Sequence, residues 1–244
     1  MEHGPDSLPD HFMPARIERI EQVTPLIRTF TLAADPQRFV SRAGQWLDLV
    51  IPQGEAKPFV GGYSVVSPPP RDDGRLQLAI KYADHHAATH HLHTAAREGD
   101  TVYITAGQGD FFFERGMADN VVLLGAGIGV TPLFSILRYV HESAPEVNAH
   151  LVYSVARRDE VLFPEELERL ASASNIDVTL TVTREAEDWL GHTGRISHPL
   201  LESLELPRDA LFYFCGSREF IEDMATLLGD WGIPETQLKY EKWW

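Results

Sequence analysis

The 244-residue sequence predicts an antiparallel β-barrel followed by an α/β domain of the Rossmann type, with a parallel sheet. In the first half, short strand-like segments alternate with Gly/Pro turns, which is typical of antiparallel all-β domains. In the second half, apolar strand-like segments alternate with helix-like ones, which is typical of a parallel sheet with crossover helices. We expect residues 1–14 to form a loose tail, 15–116 the barrel and 117–244 the α/β domain.

The elements of the first half follow from the spacing of its apolar residues. Four segments carry an apolar residue at about every second position, which predicts strands with one buried face. They are Ile17–Ile20, Ile27–Leu32, Trp46–Ile51 and Leu76–Tyr82. Turn residues separate them, notably Gly44, Gly54, the run Pro68–Pro70 and Gly74. A helix-like stretch, Thr89–Arg97, interrupts the strands.

The second half repeats a strand–helix pattern. Its strand-like segments are Val121–Leu124, Ala149–Ser154, Asp177–Thr183 and Leu211–Cys215. Its helix-like segments are Pro132–Glu142, Pro164–Ala173 and Glu219–Leu228. A short helical stretch, Ser197–Leu201, and a final strand, Gln237–Lys242, complete the expected domain.

Composition narrows the possible functions. The net charge of −15 argues against nucleic acid or an anionic membrane as a partner. Cys215 is the only cysteine, so this chain can hold neither an internal disulfide nor a cysteine-ligated iron–sulfur cluster. The sequence contains no apolar run of membrane-spanning length and begins without a hydrophobic signal core. We therefore expect a cytoplasmic protein.

The segment 121–132, VVLLGAGIGVTP, carries the clearest functional signal. An apolar strand leads into Gly125, Gly127 and Gly129, and a helix-like run follows. Glycines let backbone N–H groups approach a ligand closely, and the amino end of a helix favours negative charge. A diphosphate group suits both properties. The alternative is a glycine turn that serves only to pack the strand against the helix.

Together with other short motifs, this segment resembles the ferredoxin–NADP(H) reductase superfamily over about residues 15–244. The motifs are GQWL (44–47), GYSVVSP (62–68), EGD (98–100), GDF (109–111), GAGIGVTPL (125–133), TRE (183–185), TGRI (193–196) and FCG (214–216). The resemblance implies a flavin-binding barrel followed by a nicotinamide-nucleotide domain, with the reaction in the crevice where they meet. FAD is expected rather than FMN, and the reductant is NADPH or NADH.

On the flavin side, the resemblance implies that Tyr63 and Ser64 contact the isoalloxazine ring, by aromatic stacking and by hydrogen bonding. Further flavin contacts are expected from Val65, Ile80, Lys81, Tyr82 and Thr89. Thr89 stands at the amino end of a helix in the family, where free N–H groups face a phosphate. The alternative is an ordinary Tyr-Ser pair beside a proline-rich turn.

Gly61 departs from the family pattern. Relatives usually carry an arginine there that pairs with the flavin phosphate, so a bidentate clamp is missing. We expect His85 or His86, together with Lys81, to supply phosphate-facing donors instead. The histidines at 85, 86, 90, 91 and 93 also include pairs with the helical spacing of metal ligands. A solvated histidine face is the simpler interpretation, and we expect no metal.

On the nucleotide side, the resemblance implies a diphosphate site at the glycine turn, with the Thr131 hydroxyl as a donor. Its expected residues are Gly127, Ile128, Gly129, Thr131 and Pro132. Arg157, Arg184 and Arg195 stand where relatives contact the nucleotide. The last two resemble the pair that faces the 2′-phosphate in NADPH-using members, which favours NADPH, although NADH-using relatives keep part of the pattern and each could be a solvated surface arginine.

The nicotinamide is expected beside Cys215 and Gly216, with no covalent role for the thiol. The chain ends in two tryptophans, and we expect Trp243 or Trp244 to cover the flavin. Packing on the barrel and a contact between subunits are the alternatives. Glu241 resembles an acidic residue near the reactive edge of the flavin. We therefore expect it to take part in catalysis with Tyr63, Ser64 and Cys215.

These inferences predict a flavin-dependent NAD(P)H oxidoreductase. Hydride is expected to pass from nicotinamide C4 to flavin N5, and electrons then to a separate acceptor, either a protein or a small molecule. The alternative is a nucleotide-binding regulatory or assembly subunit of the same fold that has weakened or lost its flavin. The presence of flavin colour distinguishes the two.

Overall fold

A computed structural model describes residues 8–69, 73–184 and 189–241. The chain divides into two compact units, Met1–Phe112 and Phe113–Trp244. The sequence-based boundary at residue 116 lies a few residues later. Among the helices of the described ranges, none has the length and apolar character needed to cross a membrane.

The first unit is a six-stranded antiparallel sheet with the order β4-β3-β6-β1-β2-β5. Its strands are β1 (Met13–Thr24), β2 (Ile27–Ala34), β3 (Trp46–Gln53), β4 (Ala56–Ser64), β5 (Arg75–Lys81) and β6 (Thr101–Ile104). A bridge pairs Val65 with Leu78, and the Val66 N–H donates to the Gln77 carbonyl oxygen at 2.8 Å. These contacts join the two outer strands, so the sheet closes into the predicted barrel.

The barrel core follows from alternation along its strands. In β1, Met13, Ala15 and Ile17 are buried while the residues between them are exposed, as a pleated strand with one solvated face requires. Helix α1 (Ala87–Thr94) covers the core with Ala88 and Leu92. This helix starts two residues before the expected Thr89 and ends three residues before Arg97.

Two expectations for the first unit were wrong. Met13 and Pro14, expected in the tail, form the start of β1, and Met13 is buried because its side chain lies in the barrel core. Strands β4 and β6 were not among the predicted strands. β4 contains Gly61 and Gly62, which add no side chains to an alternating pattern, and β6 has only four residues.

The second unit is a six-stranded sheet in which every pairing is parallel, with the order β10-β9-β8-β7-β11-β12. Its strands are β7 (Asn120–Ala126), β8 (Asn148–Val155), β9 (Ile176–Val182), β10 (His192–Thr193), β11 (Leu211–Cys215) and β12 (Leu238–Lys239). Its helices are α2 (Val130–Ser143), α3 (Pro164–Leu170), α4 (His198–Ser203) and α5 (Arg218–Asp230). The predicted parallel sheet with crossover helices is confirmed.

The strand order places a switch point beside β7. From β7 the chain builds β8, β9 and β10 outward on one side, and it then returns to add β11 on the other side. The loops that follow β7 and β11 therefore diverge at the carboxyl edge of the sheet. In open α/β sheets, ligands bind in the crevice that such a divergence leaves.

Candidate functional site

In the first unit, the ring of Tyr63 folds back along β4 and lies over Gly61. A Cβ atom built on Gly61 would lie 2.6 Å from the Tyr63 hydroxyl oxygen and 2.8 Å from its Cζ. Position 61 can carry no side chain while Tyr63 holds this conformation. The absence of the family arginine at position 61 therefore goes together with the placement of the Tyr63 ring over that position.

The Tyr63 hydroxyl begins a chain of hydrogen bonds that ends at a histidine. Its oxygen lies 3.0 Å from Thr89 Oγ1, which lies 3.1 Å from His86 Nδ1. The Thr89 backbone N–H also donates to His86 Nδ1, at 3.4 Å. A ring nitrogen that accepts an N–H carries no proton, so the Thr89 hydroxyl donates to His86 and accepts from Tyr63.

Burial raises the pKa of the Tyr63 phenol above its ordinary value of 10.0. The phenol is therefore neutral near pH 7. Thr89 is buried, whereas Tyr63 is partly exposed and His86 is exposed, so Thr89 is the buried centre of this hydrogen-bonded chain. This arrangement fixes the orientation of the Tyr63 ring, which is the aromatic group expected to stack on a flavin.

His86 has a different role from the one that the sequence suggested. Its Nδ1 caps the amino end of α1, so that nitrogen is not a donor toward phosphate, and Nε2 is the ring nitrogen left for a ligand. His85 is exposed, and Lys81 is partly exposed at the end of β5. The first turn of α1 contains no acidic residue. These groups suit an anion near the α1 amino end.

The structure places the other predicted flavin residues as follows. Val65 and Ile80 are buried in the barrel core, which leaves only their backbone atoms for a ligand, and the Val65 N–H already donates to Gln45. Ser64 pairs with Trp46 across β3 and β4 and is partly exposed. Tyr82 is exposed, and its hydroxyl donates to Asp84 at 3.1 Å.

The histidines of α1 face different directions. His93 is buried, and its Nε2 lies 2.8 Å from the Ile80 carbonyl oxygen, whereas His90 lies 3.7 Å from an Asp84 carboxylate oxygen. His85, His90 and His91 line a groove of about 450 Å³. In the described part of the chain, no three His, Cys, Asp or Glu side chains come close enough to hold a metal ion.

In the second unit, the glycine turn lies at the switch point. A 3₁₀ turn, Gly127–Gly129, joins β7 to α2. Gly127 has φ +53°, and no atom lies within 4 Å of the place where its Cβ would stand, so this side of the turn is open. The open turn and the amino end of α2 fit a diphosphate group.

Thr131 is less available to bind a diphosphate than predicted. Its hydroxyl donates to the Ile128 carbonyl oxygen at 2.9 Å, so its proton is used within the turn and is not free for a phosphate oxygen. Thr131 and Pro132 are buried in the first turn of α2. Proline fits there because the first helical N–H groups have no partner within the helix.

The three predicted arginines lie at one edge of the second sheet. Arg157, Arg184 and Arg195 each stand two residues beyond the end of β8, β9 and β10. Backbone hydrogen bonds link these loops. Arg184 N–H donates to the Ala156 carbonyl oxygen at 3.0 Å, and Gly194 N–H donates to that of Val182 at 2.9 Å. The glycine turn after β7 lies at the same edge because all four strands are parallel.

Two of these arginines are paired with carboxylates. Arg157 makes two hydrogen bonds to Asp159, at 3.1 and 3.2 Å, and this lowers the pKa of Asp159. Arg195 bonds Glu219, which raises the pKa of its guanidinium. Arg184 is exposed, and its guanidinium makes no ion pair with any residue that the structure describes.

Cys215 ends β11 next to the switch point, where its thiol is buried and takes part in no disulfide. Tyr240 stacks on the neighbouring Phe214, with ring centroids 4.7 Å apart. Glu241 is partly exposed. Trp243 and Trp244, expected over the flavin, lie outside the described residues.

Sequence reasoning missed two features of the site. The cap by His86 could have been noticed from its position three residues before Thr89. The acidic partner of Arg195, Glu219, lies 24 residues further along the chain, and no local pattern connects the two.

Comparison with known proteins adds independent findings. Residues 14–113 match the model of the oxidoreductase FAD-binding domain, and residues 123–226 match that of the oxidoreductase NAD-binding domain. Oxidoreductase NAD-binding domain-containing protein 1 from Danio rerio is 31% identical over 252 residues, which cover 94% of this chain and 91% of the relative. Ferredoxin–NADP reductase B from Sorangium cellulosum is 26% identical, covering 94% and 96%.

A solved structure shares the whole fold. The crystal structure of a ferredoxin NADP+ reductase from Neisseria gonorrhoeae, with bound FAD and NADP, superimposes with a TM-score of 0.81 at 24% identity. The match covers 96% of this chain and 99% of that one.

Proposed function

The chain belongs to the ferredoxin–NADP(H) reductase superfamily, with an FAD-binding domain followed by an NAD-binding domain, and on this premise we propose that it passes electrons from a reduced nicotinamide nucleotide through FAD to a separate acceptor. The observation that carries the proposal is the carboxyl edge of the second sheet. There the open glycine turn and three arginines lie along the same edge, which suits the binding of a dinucleotide.

The residues of the first unit fit FAD. Tyr63 offers an aromatic face and a hydroxyl, and the amino end of α1 with Lys81 offers partners for phosphate. When bound, FAD supplies the redox chemistry, taking up hydride from the nicotinamide and releasing electrons to the acceptor. The chain's own residues orient the two ring systems. Tyr63 is held by Thr89 for this purpose, and the buried Cys215 provides a small apolar surface.

The decisive experiment measures flavin content and its reduction. We expect the purified protein to release about one FAD per chain on denaturation, and its flavin absorption to bleach when NADH or NADPH is added without oxygen. Thr89→Val removes the hydroxyl that holds Tyr63 and should weaken FAD binding. Thr94→Val, at the exposed end of α1, is the matched control. A colourless protein that takes up no FAD from solution would contradict the proposal.

A second function is favoured by Gly61. Without the arginine clamp, the first unit lacks a bidentate partner for the flavin phosphate at position 61, as expected of a flavin-poor regulatory or assembly subunit that binds only the nucleotide. Such a protein binds 5′-AMP at the second unit but no FAD at the first, and titration with each ligand separates the two functions.

We place the acceptor outside this chain, as a small molecule or a protein without strong negative charge. The chain's charge of −15 repels an acidic electron carrier. If this is right, the rate with an acidic carrier should rise as salt is added, because salt screens the repulsion. A rate that falls with salt would favour an acidic partner bound at a local basic patch.

A further inference from the structure

Arg195 is held by two carboxylates of α5. Its Nη1 lies 2.8 Å from Glu219 Oε1 and 3.4 Å from Asp223 Oδ2. Glu219 and Asp223 are four residues apart on α5, so they lie on the same face of the helix. The side chains of Arg195, Glu219 and Asp223 are 72%, 68% and 54% exposed. The cluster is therefore accessible to a ligand from solution.

One guanidinium and two carboxylates give this cluster a net negative charge, which disfavours the binding of a phosphate. A 2′-phosphate placed against the Arg195 guanidinium would stand a few ångströms from two carboxylates. Two like charges at about 4 Å repel each other measurably even in water, by about a fivefold loss of affinity for each pair. A phosphate would also have to break the existing ion pairs. A ribose 2′-hydroxyl has no charge and can donate a hydrogen bond to a carboxylate.

The loop after β8, at the same edge of the sheet, repeats the arrangement. Arg157, the first arginine of the same edge, is held by Asp159 through two hydrogen bonds. Two of the three arginines that the sequence assigned to the nucleotide are thus neutralised by carboxylates in this structure. The expectation of NADPH was based on the arginines alone, because no sequence pattern showed their partners.

We propose that Glu219 and Asp223 make the coenzyme site prefer NADH over NADPH by occupying Arg195 and repelling a 2′-phosphate. The inference rests on the proposed function, since it concerns the nucleotide of that same site. Glu219 and Asp223 act as specificity residues, and neither is required for the transfer of hydride.

The test compares nucleotides that differ only in the 2′-phosphate. Binding of 5′-AMP and of 2′,5′-ADP is measured by calorimetry, and kcat/KM is measured with NADH and with NADPH. We expect the unaltered protein to favour NADH. The double variant Glu219→Gln/Asp223→Asn should bind 2′,5′-ADP about 25-fold more tightly, as removal of two like charges at about fivefold each predicts. The change in kcat/KM should appear in the KM for NADPH.

Two further variants test whether the change in affinity depends on the pairing of Glu219 and Asp223 with Arg195. Glu222→Gln removes one charge from the same helix, but Glu222 pairs with Arg218, so the ratio of NADPH to NADH should not change. Arg195→Ala added to the double variant should cancel the gain in 2′,5′-ADP affinity. An unaltered protein that prefers NADPH, or a double variant with an unaltered ratio, would overturn this inference and leave the proposed function intact. Failure to bind any of the four nucleotides would overturn both.

Discussion

Gly129 and Gly216 touch through their backbones. A Cβ atom built on Gly129 would stand 2.5 Å from the Gly216 Cα, with the Cys215 carbonyl group equally close to it. The turn after β7 therefore packs directly against the end of β11, and this contact holds the two diverging loops of the switch point together. A Cβ atom built on Gly127, two residues earlier, would meet nothing within 4 Å.

We predict from this contrast that Gly129→Ala lowers the unfolding free energy far more than Gly127→Ala does. The first forces a methyl group into backbone atoms that cannot move aside, and we expect a loss of about 3 kcal/mol of unfolding free energy. The second only strains a left-handed residue, at a cost of about 1 kcal/mol. Urea denaturation of each variant measures the difference. Equal losses would mean that the turn and β11 separate easily.

The lack of space for a side chain at position 61, beneath the Tyr63 ring, gives a second prediction. Gly61→Ala should displace the Tyr63 ring and break its hydrogen bond to Thr89. We expect FAD to bind about tenfold more weakly, which corresponds to the loss of one hydrogen bond. Gly62→Ala is the control, because its Cβ would make only ordinary contact, at 3.4 Å, with Trp46. If Gly61→Ala binds FAD normally, Tyr63 is not held in the orientation that FAD needs.

The cap of α1 gives a third prediction. His86→Ala removes the acceptor of the Thr89 N–H and should lower stability by about 1 kcal/mol. His86→Asn should retain most of the stability that the cap provides, because an asparagine side chain caps helices well. Thermal or chemical unfolding of the two variants decides this. Equal stabilities would show that the imidazole cap contributes nothing.

A partly buried histidine of the second unit, His150, predicts how stability depends on pH. Burial lowers the pKa of His150, and the charge of Asp177 opposes that shift. The unfolded chain therefore takes up the proton first, near its ordinary pKa of about 6.5. Because the unfolded state then binds more protons, the unfolding free energy falls as pH drops from about 7 toward 5. Burial lowers the pKa of His93 as well, in the same direction.

Substitution separates this effect from general acid sensitivity. In His150→Gln the pH dependence of the unfolding free energy should become shallower, as measured by urea titrations between about pH 5 and 8. The exposed His192→Gln is the matched control. An unaltered slope in His150→Gln would show that His150 is protonated equally in the folded and unfolded chain.

The strands and the glycine turn could be predicted because their signals are local. In β1, β3 and β5 one face is buried, so apolar residues alternate, and the G-x-G-x-G segment is contiguous. β4 gave no such signal, since glycines and a proline interrupt it. The short β10 was missed for a similar reason, because two residues cannot show a period.

The partners of the predicted site residues could not be predicted in the same way. Arg195 and Asp223 are 28 residues apart and meet because α5 returns along the sheet after β11. Tyr63 and Thr89 are 26 residues apart and meet across the barrel wall. Residue types identified where chemistry could occur, whereas the charge balance at each position depends on the tertiary structure.

The position of Arg157, Arg184 and Arg195 on exposed loops beyond the strand ends has a consequence for how such a chain can change. Substitutions at exposed positions usually alter stability by less than about 0.5 kcal/mol, so nothing in the core has to adjust when one of these loops is altered. The same holds for Glu219 and Asp223 on the exposed face of α5, so on the proposal above two codon changes would shift the chain from NADH toward NADPH while the barrel, the sheet and the glycine turn stay as they are.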